Sequence, residues 1–555
     1  MRTMFTRKHI KIAFGTTFFL FAFCWYYSPG EYVLIANQDA RLFFLTFEHF
    51  FSFLDRPGGA LEYLGHFLTQ FYRFRFLGAF VLAALLTLSY FLADEILNKS
   101  PRGKDWLIPA LLTPFLLMGM HNFYPHQIHH TLGMLLAMAF ALWAPRERAK
   151  ARIYHALLAP VLIFLLGGFA WLYFALILAR SAGNIKLGLE LLFWVLIYPV
   201  LLTTFATLLF YWIPLKDLFL QSLPVDQVYP IPLLPFIYAA WLVLWIVLIN
   251  LEFDWPKVRP RWGTVAQVLT LLLGAVLILK FTHNRKNAEF FQVEKMAVQK
   301  DWDALLRYAD QHPSSNLFGT FYTNLALVNK GMLCSSLFNY PQPYGRRGLC
   351  FNWEEKEEIL KRGGDFFWTI HFVNEAHHWA FESMIVNGYT QRNLKMLIQT
   401  ELVRGHHRVV QKYIRLLERA LFQKKIARGF QTFVDHPETI GDDSELGPRE
   451  EVAFRENFFT DGINLENNLR SLIRNDPGNR QAFDYLLALL LLEKRVDDIA
   501  QLLPSYTAIH KRELPQLLEE CLLIYKLLHR NEIAPALEVS EQTRLRFYGY
   551  FKVLQ

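Results

Sequence analysis

Residues 153–179 read IYHALLAPVLIFLLGGFAWLYFALILA. The run contains no Lys, Arg, Asp or Glu. As one helix it would be about 40 Å long, which exceeds the roughly 30 Å hydrocarbon core of a bilayer. Gly167-Gly168 lies at its middle. The run therefore predicts either one tilted membrane span or two short ones, and the topology of the chain depends on which of these forms.

Seven further apolar runs precede Lys280, and nothing comparable follows it. Each is typical of a helix that crosses a bilayer, which takes about twenty apolar residues with their backbone groups paired within the segment. We therefore predict an all-α chain, with a polytopic membrane domain of eight or nine spans over residues 1–282 and a soluble domain over 283–555. The other predicted spans are 12–27, 76–93, 106–120, 128–144, 191–212, 231–250 and 262–279.

Basic residues flank the apolar runs instead of forming a surface for nucleic acid. The 555 residues are 53% hydrophobic with a formal net charge of +8, and much of that excess lies in short clusters where Lys and Arg fix topology. The first run follows four basic residues, and no small-residue cleavage site comes after it. We predict an uncleaved first span, a cytoplasmic N-terminus and no nucleic-acid partner. The predicted cytoplasmic clusters are Lys99, Arg102 and Lys104, and Arg146, Arg148, Lys150 and Arg152.

The side of the membrane that holds residues 283–555 follows from the number of spans. Eight-span and nine-span topologies place equal numbers of Lys and Arg on the cytoplasmic side, so the positive-inside rule does not separate them. Helix length favours one crossing by residues 153–179. A disulfide between Cys334 and Cys350 would favour the oxidising outer side, although two free thiols are the simpler interpretation. The side stays open, with a slight preference for the periplasm.

The segment between the first two spans, residues 28–75, is too long for a turn. Its aromatic and aliphatic residues recur in a helical rhythm from Phe43 to Phe71, which is typical of amphipathic helices lying on a membrane surface. Arg56-Pro57-Gly58-Gly59 divides the segment. Because Pro fixes one φ angle and Gly permits positive φ, this motif predicts a sharp corner between two interfacial helices.

Residues 283–555 show short amphipathic helical patterns separated by Gly, Pro and Asn turns, without a strand signal. Helix hairpins are predicted near 302–313, over 402–417 with a turn at Gly405, and around Asp476-Pro477-Gly478-Asn479. A hairpin cannot bury its apolar face alone, so such units stack. The pattern resembles degenerate tetratricopeptide (TPR) repeats, which implies a surface for a protein partner.

Four histidines crowd the predicted outer turn between the third and fourth spans. His126 and His130 are four residues apart, a spacing at which two imidazoles on one helix can share a metal, but no Cys or acidic ligand is near. Hydrogen bonding at the interface is the better interpretation, so no metal is predicted. No cofactor is predicted either, since glycine-loop, nucleophile-elbow and dinucleotide fingerprints are missing from the sequence. The four are His121, His126, His129 and His130.

Asp39 follows the first span on the predicted outer face. A carboxylate at this place can act as a general base, and the guanidinium groups of Arg41 and Arg56 are suited to binding a phosphate. The simpler interpretation is a solvated Asp39 that pairs with Arg41.

Residues 55–72 read DRPGGALEYLGHFLTQFY, and this stretch resembles the hallmark of an uncharacterised family of multi-pass membrane proteins from Bacteroidota. Residues 324–331 and Ala380-Phe381-Glu382 are similar to the soluble half of that family. The resemblance covers nearly the whole chain. It implies a protein of the bacterial inner membrane and supplies no activity.

A second resemblance is to the large C-type glycosyltransferases, which use lipid-phosphate sugar donors and place an acidic residue in a long outer loop after the first span. Asp39 is the residue that corresponds, although its neighbours Gln38 and Ala40 depart from the paired acidic motif of those enzymes. We expect an inner-membrane protein whose repeat domain is a scaffold for a protein partner in the cell envelope. The alternative is a transferase acting on a lipid-linked sugar, with Asp39 as base and Arg41 or Arg56 on the phosphate.

Overall fold

The computed structural model describes residues 2–38, 41–98, 107–145, 147–182, 184–210, 214, 219–224, 233–251, 260–314, 316–353, 357–451, 464–511, 513–529 and 537–554. These residues form helices and turns, with no strand among them, and this confirms the predicted all-α class. The chain divides into two compact units, Met1–Ala288 and Glu289–Gln555.

Long apolar helices make up most of the first unit, and each predicted span overlaps at least one described helix. The predicted interfacial segment holds three short helices, α2 to α4. A 3₁₀ turn at Gly167–Phe169 separates α8 from α9, and a π-helical stretch at Leu192–Ile197 joins α10 to α11. The helices are α1 (Arg2–Tyr27), α2 (Glu31–Gln38), α3 (Phe47–Phe51), α4 (Gly59–Thr69), α5 (Arg75–Asn98), α6 (Leu107–His121), α7 (Ile128–Trp143), α8 (Arg148–Leu166), α9 (Ala170–Ala179), α10 (Ile185–Leu191), α11 (Tyr198–Phe210), α12 (Leu234–Asn250) and α13 (Pro260–Thr282).

Three helical stretches are long and apolar enough to cross a membrane, within the residues that the structure describes: Arg75–Asn98, Ala149–Ala179 and Lys186–Leu208. The second of them is counted through the 3₁₀ turn at Gly167–Phe169 and so contains both α8 and α9. Four shorter apolar helices accompany them, at Pro109–His121, Ile128–Trp143, Leu234–Asn250 and Leu272–Thr282. Length and composition thus support membrane association.

The first unit has two distinguishable ends. At one of them, here called the histidine end, Asn122 accepts a hydrogen bond from Trp25 Nε1 (3.0 Å) and donates one to Thr282 Oγ1 (3.1 Å). At the other end, here called the basic end, one cavity is lined by Leu97 of α5, Pro145 after α7 and Arg152 of α8. Residues 99–106, with the first basic cluster, lie outside the described residues, whereas Arg152 of the second cluster lies in α8 at this end.

The run 153–179 turns back on itself. In a single straight helix, His155 and Tyr173 would lie about 27 Å apart along the axis. Instead His155 Nδ1 is 2.7 Å from the Tyr173 hydroxyl, because the chain reverses at Gly167, whose φ is +55°. Arg180, which follows α9, accordingly lies with Arg152 at the basic end. This run therefore forms a helical hairpin, not one tilted helix.

The second unit is a succession of shorter helices, most of which pack on the next along the chain. They are α14 (Arg285–Val298), α15 (Trp302–Gln311), α16 (Leu317–Asn329), α17 (Leu333–Ser336), α18 (Glu357–Thr369), α19 (Val373–Asn387), α20 (Gln391–Val403), α21 (His407–Arg419), α22 (Lys424–Asp435), α23 (Gly447–Glu451), α24 (Leu465–Asn475), α25 (Arg480–Leu492), α26 (Val496–His510), α27 (Gln516–Leu528) and α28 (Glu541–Leu554). The predicted turns at Gly405 and at residues 476–479 fall between helices and are confirmed.

Five of the helix–helix turns share one geometry. In each, a residue with φ between 58° and 73° ends the helix, and the next N–H donates to the carbonyl five residues before it at 2.7–3.0 Å. This pattern is the Schellman motif, which satisfies carbonyls at a helix C-terminus. The left-handed residues are Lys300, Gly331, His371, Gly405 and Lys494.

A buried ion cluster joins the first helices of four successive hairpins. Glu294 of α14 accepts one hydrogen bond from Arg362 Nη2 of α18 and one from Arg392 of α20, both at 2.8 Å, and its Oε1 lies 2.7 Å from Arg362 Nε in an ion pair. Arg392 also contacts Asp365 of α18 and Tyr322 of α16. Because isolated buried charges are very costly, this network favours the one stacking order that pairs them all.

Cys334 and Cys350 are both buried thiols that are not part of a disulfide. Cys334 Sγ lies 3.5 Å from Asp484 Oδ1 of α25, which places its side chain against a different helix of the unit. The disulfide left open by the sequence does not form, so it gives no support to an outer location.

Replacing Gly405 by Ala tests the left-handed turn. An added Cβ meets nothing within 4 Å, so the cost is conformational, and we expect the free energy of unfolding to fall by about 1 kcal/mol. Hydrogen exchange of the α20 and α21 amides, measured on the full chain in detergent, reports the change.

Gly429 is the matched control, since it also has nothing within 4 Å of an added Cβ but lies inside α22. Gly429→Ala should raise the stability of α22 by about 1 kcal/mol through helix propensity. Equal effects of the two changes would contradict the turn geometry.

Candidate functional site

The predicted site residues do not form one cluster. Asp39 and its neighbour Ala40 lie outside the described residues. The Arg41 carbonyl accepts a hydrogen bond from Gln70 Nε2 at 3.0 Å, which ties the start of the interfacial segment to the end of α4. Arg56 belongs to the motif Arg56–Gly59, which forms the predicted corner before α4. We call this motif the glycine corner.

The glycine corner contacts the reversal between α8 and α9. In an unbroken helix, the Phe164 carbonyl would accept from the N–H of Gly168. Because the helix ends at Leu166, the Gly58 N–H donates to Phe164 O instead, at 2.7 Å, and the Gly168 N–H donates to Gln221 O at 2.9 Å. The corner and the 219–224 segment thus supply the partners that the broken helix lacks.

Glycine is required where these backbones meet. Gly58 has a φ of +76°, and an added Cβ would lie 2.2 Å from Ser222 Oγ. At Gly167, an added Cβ would lie 2.7 Å from Gln221 O. Both positions need the left-handed region and the absence of a side chain.

Glu62, in the first turn of α4, fixes the corner electrostatically. Its Oε2 accepts two hydrogen bonds from Arg56, at 2.7 and 3.2 Å, and its Oε1 accepts one from Ser222 at 3.1 Å. Burial raises the pKa of the Glu62 carboxyl, but the Arg56 charge and these hydrogen bonds outweigh burial and lower that pKa overall. Glu62 is therefore an ionised carboxylate whose two oxygens already accept hydrogen bonds. It is suited to holding the corner and poorly suited to general-base catalysis.

The four histidines of the α6–α7 turn are buried beside this corner. His129 packs against Gly65 of α4, where an added Cβ would lie 2.5 Å from the His129 Cβ. Their rings follow one another with centroids 4.2 to 5.0 Å apart. Thr131 Oγ1 joins two of them, at 2.8 Å from His121 Nε2 and 3.2 Å from His126 Nε2. This arrangement suits polar packing.

A metal site is not formed by these side chains. Within the described ranges, no group of three or more His, Cys, Asp or Glu residues has the arrangement to hold a metal ion. The Thr131 hydroxyl occupies the point where Nε2 of His121 and Nε2 of His126 converge.

An apolar stripe on α19 is the candidate contact surface of the second unit. Phe381 and Ile385 are one helical turn apart, Val386 follows Ile385, and Tyr389 comes directly after the end of the helix. All four are exposed, Ile385 to 64%. Exposed aromatic and aliphatic side chains in one patch are typical of protein interfaces.

Stacked aromatic rings border this α19 stripe. Trp353 stacks on His378 with ring centroids 4.8 Å apart, and Phe381 lies parallel to His377. His377 in turn is 2.7 Å from one carboxylate oxygen of Glu401. The other carboxylate oxygen of Glu401 contacts His406. These contacts hold the side chains around the stripe in place before any partner binds.

Sequence reasoning identified the glycine corner, the histidine turn and Gly167-Gly168, but not that they meet. It also missed Glu62 and Ser222, which carry the polar contacts. Glu62 sits in a helical pattern like any surface acid, and Ser222 lies in a short segment without a motif. The six-residue separation of Arg56 and Glu62 across a corner was the available signal.

The chain belongs to the family described as "Family of unknown function (DUF6057)", whose model matches residues 8–555. No curated protein and no solved structure matches the chain. The predicted resemblances to a Bacteroidota family and to glycosyltransferases stay predictions.

Replacing Gly59 by Ala tests the corner. An added Cβ would lie 1.6 Å from the Phe53 carbonyl oxygen, so the backbone must move, and we expect a loss of about 3 kcal/mol or more of stability. Thermal unfolding in detergent, followed by size-exclusion chromatography, measures it.

Gly274→Ala is the control for this experiment. Gly274 lies inside α13, and its added Cβ would meet only Leu112 Cδ1, at 3.3 Å. This variant should keep a melting temperature near that of the wild type. A Gly59→Ala protein as stable as Gly274→Ala would contradict the corner geometry.

Proposed function

We propose that this member of the family is a polytopic protein of the bacterial inner membrane that holds a helical-repeat scaffold on the outer side. In this proposal the first unit crosses the bilayer nine times with its N-terminus in the cytoplasm. The second unit, a TPR-like stack, binds a protein partner in the cell envelope. The observation that carries the proposal is the end at which the chain leaves the first unit.

The basic end is assigned to the cytoplasm by its charge. The predicted clusters at residues 99–104 and 146–152 connect helices whose ends meet around Leu97, Pro145 and Arg152. Lys and Arg concentrate in cytoplasmic loops of membrane proteins. The histidine end then faces outward.

The chain leaves the first unit at the histidine end. Thr282, the last residue of α13, accepts from Asn122, and His283 packs edge-on against Trp25 at 5.5 Å. Trp25 lies at the end of α1, which is one crossing from the N-terminus. Because the chain exits at the same end as Trp25, the number of crossings must be odd. Counting α8 and α9 as two crossings gives nine crossings in place of eight.

Exposed apolar side chains support the bilayer assignment. On α8, Ile153, Leu157 and Val161 recur every four residues on one face, and each is more than half exposed. Similar exposed residues lie on α11 and α13. A water-facing helix would carry polar residues there, whereas lipid requires apolar ones.

The scaffold role rests on the second unit. The second unit consists of helix hairpins with a recurrent turn, and one buried ion cluster joins several of them. This arrangement is typical of stacked repeats. Such stacks present extended surfaces to partners. We assign the partner to the α19 stripe, since it exposes Phe381 and Tyr389 and aromatic residues are enriched in protein interfaces.

The transferase alternative receives less support from the described residues. Arg56, a candidate phosphate ligand, is committed to Glu62 by two hydrogen bonds. A guanidinium paired in this way has less charge available for a phosphate. Arg41 and Asp39 would have to carry that chemistry.

A reporter enzyme fused after Gln555, active only outside the cytoplasm, tests the topology. We expect activity from this fusion and none from a matched reporter that is active only inside, because an odd number of crossings moves the C-terminus outward. Cell-based reporter assays measure both.

The control fusion follows Lys150, at the basic end, and should give the reverse result. Activity of the inside reporter after Gln555 would overturn the nine-crossing proposal. It would leave the fold of the second unit unaffected.

A photo-crosslinking amino acid at Val386 tests the partner surface. We expect a discrete protein adduct in intact cells, and Ile385→Glu should remove it, since a charge in the centre of an apolar contact is costly. Gel analysis of crosslinked membranes measures the adduct.

Leu528→Glu is the control, because Leu528 of α27 is as exposed as Ile385, at 66%, and lies outside the stripe. This variant and Asp39→Asn should both keep the adduct. An adduct that survives Ile385→Glu would contradict the surface. Loss of lipid-linked sugar turnover in Asp39→Asn would favour the transferase instead.

A further inference from the structure

We propose that the partner of the α19 stripe is an acidic protein segment, whose carboxylates bind a row of basic side chains on α21. This specifies the chemistry of the partner assigned to the α19 stripe and therefore rests on the proposed function. Residues 404–428 contain eight Lys and Arg residues and one acidic residue, Glu418. The hairpin of α21 and α22 thus concentrates positive charge on a small part of the second unit.

Four basic residues recur along one face of α21, and we call them the α21 stripe. They are Arg408, Lys412, Arg415 and Arg419, and all four are exposed. Their spacing of four, three and four residues places them one above another on a helix. The opposite face of α21 is buried through Val410, Ile414 and Leu417. The helix therefore packs in the stack by its apolar face and presents a row of positive charges outward.

No described carboxylate pairs with the α21 stripe. Arg404, which precedes the stripe, is 3.3 Å from Glu401, but the four stripe residues form no ion pair with any residue that the structure describes. Like charges three and four residues apart on a helix repel one another. An acidic partner would relieve this repulsion and would supply the counter-charges that are missing from the described part of the chain.

The exposed positive charge continues on α22. Gln411 Nε2 donates a hydrogen bond to Gln431 Oε1 at 3.0 Å, which joins α21 and α22 side by side. Lys424, Lys425 and Arg428 of α22 are exposed, and they too form no ion pair with a described residue. One helical hairpin therefore carries seven exposed basic side chains.

The α19 stripe and the α21 stripe are connected through Glu401 of α20. Its two carboxylate oxygens lie 2.7 Å from His377 of α19 and 2.6 Å from His406. Phe381 of the α19 stripe lies parallel to His377, and His406 comes two residues before Arg408. A partner segment that covers Phe381 can therefore continue onto the α21 stripe.

An acidic protein fits these surfaces better than a bilayer or a nucleic acid does. A membrane-surface helix inserts its apolar face into lipid, but the apolar face of α21 is already buried in the stack. Single-stranded nucleic acids stack their bases on aromatic side chains, and the α21 stripe contains none. In protein interfaces, by contrast, charges guide association while apolar and aromatic side chains hold the partner.

Fluorescence anisotropy tests the acidic partner on the full chain in a zwitterionic detergent. The probe is a labelled synthetic helix of glutamate and leucine, and a matched helix carries glutamine in place of glutamate. We expect the glutamate helix to bind about tenfold more tightly, because several exposed ion pairs each contribute a few-fold. Half-molar salt should remove the difference, since it screens exposed charges.

Variants of the full chain locate the binding of the glutamate helix. Lys412→Glu combined with Arg415→Glu should abolish the tenfold preference, and glutamine at both positions should reduce it in part. Ile385→Ser should weaken both helices alike, since it alters the apolar contact. The control combines Arg474→Glu with Arg480→Glu, which reverses two exposed charges on α24 and α25 and should change neither affinity. Melting temperatures confirm that each variant is folded.

Equal binding of the two helices, or a preference that survives the reversal of Lys412 and Arg415, would overturn the acidic partner. Vesicles of phosphatidylglycerol or a single-stranded DNA oligonucleotide are added as competitors at equal charge concentration. If either displaces the probe more effectively than the unlabelled glutamate helix does, the α21 stripe belongs to a lipid surface or a nucleic acid, and the inference is overturned.

The crosslink at Val386 separates this inference from the proposed function. Reversal of Lys412 and Arg415 should reduce the adduct in intact cells. An undiminished adduct in that variant would overturn the acidic partner and leave the scaffold function intact. The absence of any adduct from the wild-type chain would overturn the scaffold function itself.

Discussion

The hydrogen bond from the Gly58 N–H to the Phe164 carbonyl allows the first unit to contain a broken helix. A helix that ends inside an apolar body leaves carbonyls without partners, and each costs several kcal/mol away from water. The glycine corner and the 219–224 segment bring their own N–H and carbonyl groups to that break. The interfacial segment is therefore a structural part of the first unit, and the reversal at Gly167 depends on it.

Local features of this chain were predictable, and the contacts between them were not. The apolar runs fall on helices, and Gly405 and Pro477 mark real turns. Both alternatives for residues 153–179 were recognised, but the sequence did not show that the helix breaks at Gly167, because the partners of the broken helix come from residues 58 and 221. Lys300, His371 and Lys494 adopt left-handed turns without the glycine that signals them. Asp39 lies outside the described residues, so that part of the site stays a prediction.

The ion cluster of the second unit shows why paired charges can define a stack. Burial raises the pKa of Glu294, but Arg362 and Arg392 outweigh burial and lower it to about 2. The carboxylate therefore stays charged across the physiological range, and its contribution to stability is lost only as the pH falls from about 4.5 toward 2. Apolar contacts alone tolerate sliding of one hairpin on the next, whereas Glu294 has its partners in a single register. No short sequence motif predicts contacts between Glu294, Arg362 and Arg392, because they lie so far apart in the chain.

The hairpin of α8 and α9 has a consequence for biogenesis. With ten residues, α9 is about 15 Å long, too short to enter a bilayer as an independent span. In the proposed topology, α9 would insert cooperatively with α8 and with the corner that caps their turn. A nascent chain that inserted the pair as one helix would invert every later segment, and in the proposed orientation the repeat unit would be delivered to the wrong compartment. In the proposed topology, the reversal at Gly167 therefore determines the side of the membrane on which every later segment lies.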